Sequence, residues 1–229
     1  MITVEDFHKL EKLSGQHGVS SSMLMERAGK SFYEYLKKHL DLSAKTAVVF
    51  AGYGDNAGEG FVLARLLSKD CFVFVFLYGE TKKFSGDTSA AFTRIQGNDH
   101  VDVLRPDQID AHTIKKIKAT DHLLVIDALF GIGFSGQMPV KFTPAVDLFN
   151  SLPGYKVSLD VPSGVNAVTG EMSSFVCKPD LTLTLHEKKP GLMGLKNVTI
   201  VPLTFAPEAM NMLEKEISKR GPFKNSPNS

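Results

Sequence analysis

The amino-acid sequence predicts an α/β fold, a Rossmann-like three-layer αβα sandwich with a mostly parallel sheet and two N-terminal helices. From about residue 47, short apolar runs rich in β-branched residues alternate with helical stretches, and this rhythm is typical of a parallel sheet covered on both faces. The 229 residues are 43% hydrophobic, which is enough for one sizeable core. We therefore expect a single domain over residues 1–219 and a polar, disordered tail over residues 220–229.

Two helices are predicted before the first strand. Thr3 and Asp6 have the spacing of a capping box, which indicates a short helix that ends near Leu13. The serines at 20–22 can cap a longer helix that ends near His39. One apolar stripe follows this second helix and consists of Leu24, Ala28, Phe32, Leu36 and Leu40.

The alternation that follows contains seven predicted strands and five predicted helices. The strands are expected at 47–50, 72–77, 101–104, 123–127, 156–160, 181–185 and 198–203. The helices are expected near 59–69, 87–96, 107–119, 140–151 and 206–219. In folds of this class ligands bind beyond the carboxyl ends of the strands, so the loops that follow the strands are where a site is expected.

Composition narrows the function classes. Lys and Arg number 26 against 25 Asp and Glu, a net charge of +1 without a concentrated basic segment, so nucleic acid is not an expected partner. Cys71 and Cys177 form no CxxC motif, which argues against a disulfide framework or a zinc site. No apolar run reaches the roughly 18 residues of a membrane span, and the N-terminus does not resemble a signal peptide. We expect a soluble, cytoplasmic protein.

The first loop, residues 52–60, carries four glycines between a predicted strand and a predicted helix. Such a loop can direct backbone N–H groups at a phosphate or another anion. Gly52, Gly54 and Ala57 fit G-x-G-x-x-A, a form of the dinucleotide fingerprint, and Glu80 has the spacing of its ribose ligand. The same pattern also describes a tight turn that binds no ligand.

Two further loops follow strands and carry polar side chains. Asp127 and Asp160 each end a predicted strand, and Ser163 follows the second of them. A partly buried carboxylate at such a position is a candidate general acid or base, although it can also simply cap the turn. Asn56, Asp127 and Ser163 are oxygen donors on neighbouring strand ends and could form a weak cation site.

A fourth segment, residues 181–195, brings Lys188 and Lys189 toward the same edge of the sheet. Its glycines favour a loop that could close over a ligand. A pair of lysines is also typical of a solvated loop.

Five segments, in the correct order, resemble the NAD(P)HX epimerase family, also described as the YjeF N-terminal domain. They are SSMLMERAGKSF, AGYGDNAGEGFVLARLL, VIDALFGIGFSG, SLDVPSGVNAVTGE and KPGL, and they extend along nearly the whole chain. The resemblance implies a Rossmann-like sheet and an isomerase that interconverts the R and S forms of hydrated NADH and NADPH. It also implies a functional partner, the NAD(P)HX dehydratase, and a homodimer.

The resemblance implies roles for individual residues. Asp127 and Lys189 match the acid/base positions, and Asn56, Asp127 and Ser163 match the positions of a potassium site. Glu59 stands where the family usually has an aspartate. The residues that match the substrate-contacting segments are Asp55, Asn56, Ala57, Gly58, Glu59, Gly131, Ile132, Gly133, Phe134, Ser135, Gly136, Gln137 and Asp160.

Three hypotheses follow from the sequence. The first is a stand-alone epimerase of hydrated nicotinamide nucleotides. The second is an NAD(P)-dependent oxidoreductase that uses the first loop as a true dinucleotide fingerprint. The third is a catalytically silent nucleotide-binding or scaffold module on the same fold. The preference between hydrated NADH and hydrated NADPH is left open by the sequence.

Overall fold

The computed structural model describes residues 2–43 and 45–219, so the predicted tail at 220–229 lies outside the described residues. Helices and strands occur in the predicted order. The helices are α1 (Val4–Gln16), α2 (Ser21–His39), α3 (Asp55–Leu67), α4 (Gly86–Thr93), α5 (Ala111–Lys118), α6 (Thr143–Ser151) and α7 (Pro207–Lys219). The strands are β1 (Thr46–Ala51), β2 (Phe72–Leu77), β3 (Val101–Leu104), β4 (Leu123–Ala128), β5 (Tyr155–Leu159), β6 (Leu181–Leu185) and β7 (Val198–Val201).

The strands form one sheet in the order β3-β2-β1-β4-β5-β6-β7, and every neighbouring pair is parallel. The predicted fold class is therefore confirmed. The strand order reverses between β1 and β4, whose last residues, Ala51 and Ala128, lie side by side. In an open parallel sheet this reversal leaves a crevice at the carboxyl ends of the two strands, where ligands bind.

Each face of the sheet has its own apolar cluster, which gives the three layers. On β1, Ala47 and Val49 face the cluster beneath α1, α2, α3 and α7, whereas Val48 and Phe50 face the cluster beneath α5 and α6. This alternation follows from the two-residue period of a strand. All residues of β4 are buried because the strand lies at the centre of the sheet and is covered on both faces.

The predicted starts of the first two helices are confirmed. The Asp6 amide donates to Thr3 Oγ1 at 3.0 Å and the Thr3 amide donates to Asp6 Oδ2 at 3.1 Å, which completes the capping box of α1. Ser20 caps α2 by accepting the Met23 amide at 3.3 Å. The apolar stripe of α2 is buried from Leu24 to Leu36, so it packs within the chain.

Helix α3 begins at Asp55, four residues before the predicted start near residue 59, so the prediction of a longer loop was wrong. Its glycines permit close packing. A Cβ on Gly60 would lie 2.6 Å from the Cβ of Ala128 on β4, and one on Gly58 would lie 2.5 Å from Met25 of α2. The result is that Asn56 and Glu59 lie on the first turns of a helix, at the crevice.

The stretches predicted as helices near 107–119 and 140–151 each start as a separate 3₁₀ turn, at Pro106–Gln108 and Val140–Phe142. None of the helices within the described ranges combines the length and the apolar character needed to cross a lipid bilayer.

Replacing Gly60 by Ala should destabilise the protein, because the new methyl group would press a helix against a strand that cannot move aside. The matched control is Gly15→Ala in α1, where a Cβ would meet nothing within 4 Å. Both variants replace a helical glycine by alanine, so their difference reports chiefly the packing cost at Gly60. We expect Gly60→Ala to be less stable than Gly15→Ala by about 1–3 kcal/mol in denaturant unfolding. Equal unfolding free energies would show that α3 has room to shift.

Candidate active site

A cavity of about 430 Å³ opens at the crevice between β1 and β4. Two loops form most of its wall, the one after β1 and the one after β4, and α1 and the ends of β5 and β6 complete it. Many of the residues that the resemblance implies for substrate contact line this cavity: Asp55, Asn56, Glu59, Gly131, Ile132, Gly133, Phe134, Ser135, Gln137 and Asp160. The loops singled out from the sequence therefore converge on one site.

Three residues of the same set do not line the cavity. Ala57 and Gly58 are buried on α3, and Gly58 faces α2. Gly136 has a positive φ of 76° at an exposed turn. The early start of α3 explains the first two, because a helix directs successive side chains to different sides.

Sequence reasoning missed the contribution of α1, which brings Phe7, His8 and Glu11 to the cavity. The placement depends on contacts between distant parts of the chain. The Ile2 amide donates to Glu187 Oε2 at 2.9 Å, and α1 packs against α7. No local pattern in the sequence reports such contacts. The other lining residues absent from the predicted set are Tyr53, Gly54, Leu129, Phe130, Pro139 and Leu185.

Asp127 is fully buried at the end of β4, and each of its carboxylate oxygens accepts two hydrogen bonds. Oδ1 accepts the Ser163 hydroxyl at 2.5 Å and the Leu129 amide at 3.2 Å. Oδ2 accepts the Ser158 hydroxyl at 2.7 Å and the Ser163 amide at 2.8 Å. Burial raises the pKa of Asp127, while the hydrogen bonds from Ser163 and Ser158 lower it. The carboxylate lies behind Leu129 and Phe130, which line the cavity.

Asn56 carries a buried oxygen that has no hydrogen-bond partner. Its Nδ2 donates to the carbonyl of Phe130 at 2.8 Å, which fixes the amide so that Oδ1 is left without a donor. A buried polar atom in this condition costs about 1–3 kcal/mol. Gly131 approaches so closely that a Cβ there would lie 3.2 Å from the Cβ of Asn56. The arrangement suits a ligand or cation that supplies the missing contact.

Asp160 lines the cavity and forms a buried ion pair with Lys189, whose Nζ lies 2.5 Å from Asp160 Oδ1 and which does not itself line the cavity. The ammonium also donates to Thr184 Oγ1 at 3.1 Å and to the Leu185 carbonyl at 2.8 Å, so its three donors are satisfied. It lies over the ring of Phe7 at 4.7 Å. Asp160 has a positive φ of 58°, a strained backbone conformation that this network holds in place.

Glu59 is a half-buried carboxyl group on the cavity wall. Burial raises its pKa well above the ordinary value, and the nearby carboxylates of Asp160, Glu11 and Asp55 act in the same direction, against the opposing effect of Lys189. Burial also raises the pKa of Glu11, whose Oε2 lies 3.1 Å from Nδ1 of His8. The site thus offers a carboxyl group that favours its protonated form beside an ionised pair.

Glu80, the ribose ligand that a dinucleotide fingerprint would require, does not line the cavity. Its carboxylate forms ion pairs with Lys141, Lys82 and Lys83, whose Nζ atoms lie 2.8, 3.0 and 3.2 Å from a carboxylate oxygen. These lysines lower the pKa of Glu80 to about 2. The oxidoreductase hypothesis therefore loses the acidic residue on which its fingerprint depends.

Within residues 2–43 and 45–219, no group of three or more His, Cys, Asp or Glu side chains is arranged to hold a metal ion. Cys71 and Cys177 are buried free thiols. Burial raises the pKa of Cys71 to about 11.

Comparison with known families decides the assignment. Residues 21–191 match the model of the family described as YjeF-related protein N-terminus. The chain belongs to this family. The matched range contains the loops after β1, β4 and β5 and also Lys189, and it covers the cavity wall except for the residues of α1.

Relatives within the YjeF-related family have names that concern nucleotide repair. The chain is 34% identical over 214 residues to the bifunctional NAD(P)H-hydrate repair enzyme Nnr of Hyperthermus butylicus, an alignment that covers 91% of this chain and 39% of that protein. It is 27% identical over 211 residues to the NAD(P)H-hydrate epimerase of Nitrosopumilus maritimus, covering 86% and 90% of the two chains. The chain spans about two fifths of the length of the bifunctional relatives.

A solved structure supports the fold of this YjeF-related chain. The crystal structure of a yeast protein superimposes with a TM-score of 0.79 at 22% identity, covering 100% of this chain and 96% of the yeast chain.

Proposed function

We propose that this chain is an NAD(P)H-hydrate epimerase, an isomerase that interconverts the R and S forms of hydrated NADH and NADPH. The observation that carries the proposal is that the loops characteristic of the family converge on one cavity, whose wall holds Glu59 and also Asp160, the buried partner of Lys189. Relatives named for this activity match most of the chain.

The chemistry requires a proton donor and a protected site. In the hydrated nucleotide the C6 hydroxyl lies beside the ring nitrogen, so the nitrogen lone pair can expel the hydroxyl as water once an acid protonates it. Return of water to the opposite face inverts the carbon. The ring is a cation between the two steps, and ionised carboxylates stabilise it. Positioned proton transfer contributes roughly 100- to 10,000-fold to such a rate.

The resemblance assigns proton transfer to Asp127 and Lys189, and we retain both in this proposal. Lys189 lies behind the cavity wall and exchanges protons with the cavity through its ion-pair partner Asp160, which lines it. Asp127 lies one layer deeper, so it exchanges a proton with the cavity through the Ser163 hydroxyl, 2.5 Å from its Oδ1. Glu59 lines the cavity itself, and its raised pKa suits it to protonate the departing hydroxyl.

The direct test is to follow the R and S forms of hydrated NADH by chromatography with and without the protein. Pure R form should reach the equilibrium mixture far faster with the protein than in buffer. Failure to accelerate the interconversion of either hydrated NADH or hydrated NADPH would reject the proposed function.

Two adjacent lysines provide a matched pair of variants. Lys189→Met removes the ammonium that pairs with Asp160 and should lower the rate by at least ~100-fold. Lys188→Met removes a neighbouring charge whose Nζ has one hydrogen-bond partner among residues 2–43 and 45–219, the Leu195 carbonyl at 3.5 Å, and this variant should retain most of the activity. Thermal unfolding of both variants identifies any loss that comes from misfolding.

We also propose that potassium binds beside the cavity, with Asn56, Asp127 and Ser163 among its ligands. The unpartnered Oδ1 of Asn56 fits a cation, which prefers carbonyl, hydroxyl and carboxylate oxygens. The Ser163 hydroxyl has one proton and donates it to Asp127 at 2.5 Å, so the Phe130 carbonyl, 3.2 Å away, keeps a free lone pair. Asp127 is the carboxylate proposed for this site and lies one hydrogen bond from the Ser163 hydroxyl. The bound cation would supply positive charge close to the nucleotide.

Potassium should raise the melting temperature and the affinity for nucleotide, in comparison with tetramethylammonium at equal ionic strength. A site filled at about 100 times its Kd stabilises a protein by roughly 2.7 kcal/mol. Asn56→Ala should abolish the potassium effect. The control Asn98→Ala, whose Nδ2 bonds Ser68 Oγ at 3.0 Å, should preserve it. Identical behaviour of the wild-type protein in both cations would contradict the cation site.

We propose a homodimer because the family resemblance implies one. The apolar stripe of α2 is buried within the chain and gives no further support for a dimer. Sedimentation at micromolar concentration distinguishes a dimer from a monomer. The bifunctional repair enzymes among the relatives support a dehydratase as functional partner. Two buried free thiols suit a reducing, cytoplasmic environment.

A further inference from the structure

We propose that Lys82, Lys83 and Lys141, here named the lysine cluster, form a subsite at the rim of the cavity for a phosphate group of the bound dinucleotide. The inference rests on the proposed function in one respect, which is that a nicotinamide dinucleotide occupies the cavity.

Glu80 forms ion pairs with all three residues of the lysine cluster, but its single negative charge leaves the cluster with a net positive charge. The three ammonium groups lie 2.8–3.2 Å from the one carboxylate. The exposed fractions of the Lys82, Lys83 and Lys141 side chains are 78%, 47% and 42%, so their other donors face solvent. An ammonium group has three donors and each uses one on Glu80. The cluster can therefore bind a dianionic phosphate without breaking its own ion pairs.

The lysine cluster adjoins the cavity through one aromatic ring. Lys83 and Lys141 lie over the ring of Tyr53, with Nζ at 5.6 and 5.5 Å from the ring centre, and Tyr53 lines the cavity. Lys141 also follows the lining residue Pro139 by two positions. A ligand that extends from the cavity across Tyr53 would meet the lysine cluster directly.

Charge fixes which end of a dinucleotide faces the lysine cluster. The cavity wall carries the carboxyl groups of Glu11, Asp55, Glu59 and Asp160 and no lysine or arginine of the described residues, so it offers phosphate little attraction. The hydrated nicotinamide ring is uncharged and suits that side, whereas the phosphates suit the lysine cluster. Tyr53 and Phe130, whose ring centres are 6.1 Å apart, offer apolar surface between the two.

The position of the lysine cluster favours the phosphate on the adenosine ribose. Residues 81–83 follow β2, and the segment after this strand is where Rossmann-type sheets distinguish a free ribose 2′-hydroxyl from a 2′-phosphate, with a basic residue in the second case. The pyrophosphate, present in both nucleotides, offers the same chemistry. The two sources predict different results with NADP⁺ and NAD⁺.

Calorimetric titration of wild-type protein and the double variant Lys83→Gln/Lys141→Gln with NADP⁺ and NAD⁺ tests the proposal. The matched control is Lys115→Gln/Lys116→Gln, which removes two exposed charges from α5, a helix outside the cavity wall. We expect the first variant to lose roughly tenfold or more in affinity for NADP⁺, and the control to keep wild-type affinity. The loss should shrink at high salt.

Each outcome has one meaning. A loss for NADP⁺ alone assigns the lysine cluster to the 2′-phosphate, and an equal loss for both nucleotides assigns it to the pyrophosphate. Unchanged affinity for both, or a wild-type protein that binds neither, overturns the subsite. The assay of R and S forms tests the proposed function separately. Lysine-dependent nucleotide binding without epimerisation would reject the proposed function and support the subsite. Epimerisation with nucleotide binding that does not depend on the lysines would support the proposed function and reject the subsite.

Discussion

The buried carboxylate of Asp127 is the interaction on which the geometry of the site depends. Its four hydrogen bonds come from β5, from the turn after β4 and from the turn that holds Ser163. A buried charge is costly unless it is fully hydrogen-bonded, and here the donors belong to three segments that only the folded sheet brings together. The charge therefore fixes the relative positions of the strand ends at the crevice.

Hydrogen bonds connect Asp127 to the cavity wall through Ser163 and Phe130. The Phe130 amide donates to the Ser163 hydroxyl oxygen at 2.9 Å, and the Phe130 carbonyl accepts the Asn56 side chain. These hydrogen bonds join the loop after β4 to the first turn of α3. It leaves Asn56 Oδ1 as the one buried side-chain oxygen or nitrogen without a partner in the part of the chain that is described. Groups held in advance need little rearrangement when charge develops in a reaction.

The sequence predicted the sheet well and the helix ends less well. Short apolar runs of valine and aromatic residues such as 72–77, bounded by polar residues or glycine, favour a buried strand, so the strands match closely. The start of α3 was missed because glycines at 58 and 60 indicate a loop locally, whereas they are selected by the close approach of Met25 and Ala128. Their neighbours in space are distant in sequence.

The same limit applies to the site. The sequence identifies Asp127 and Glu59 as polar residues beside glycine-rich loops, but not which of them faces the cavity. Asp127 lies on a central strand between Phe50 and Ser158 and turns inward, whereas Glu59 lies on a helix that borders the crevice. How deeply each carboxyl group is buried depends on tertiary packing, and so does the placement of α1 residues in the cavity wall.

The most direct test compares the unfolding free energy and the epimerisation rate of Asp127→Asn with those of Glu59→Gln, two carboxyl-to-amide changes at different depths. An amide cannot accept all four donors around Asp127, so Asp127→Asn should lose about 1–3 kcal/mol of stability and at least ~100-fold in rate. Glu59→Gln should keep or gain stability, because the raised pKa of Glu59 means that the folded state disfavours its ionised form at neutral pH. Wild-type stability together with near-normal epimerisation in Asp127→Asn would contradict the account.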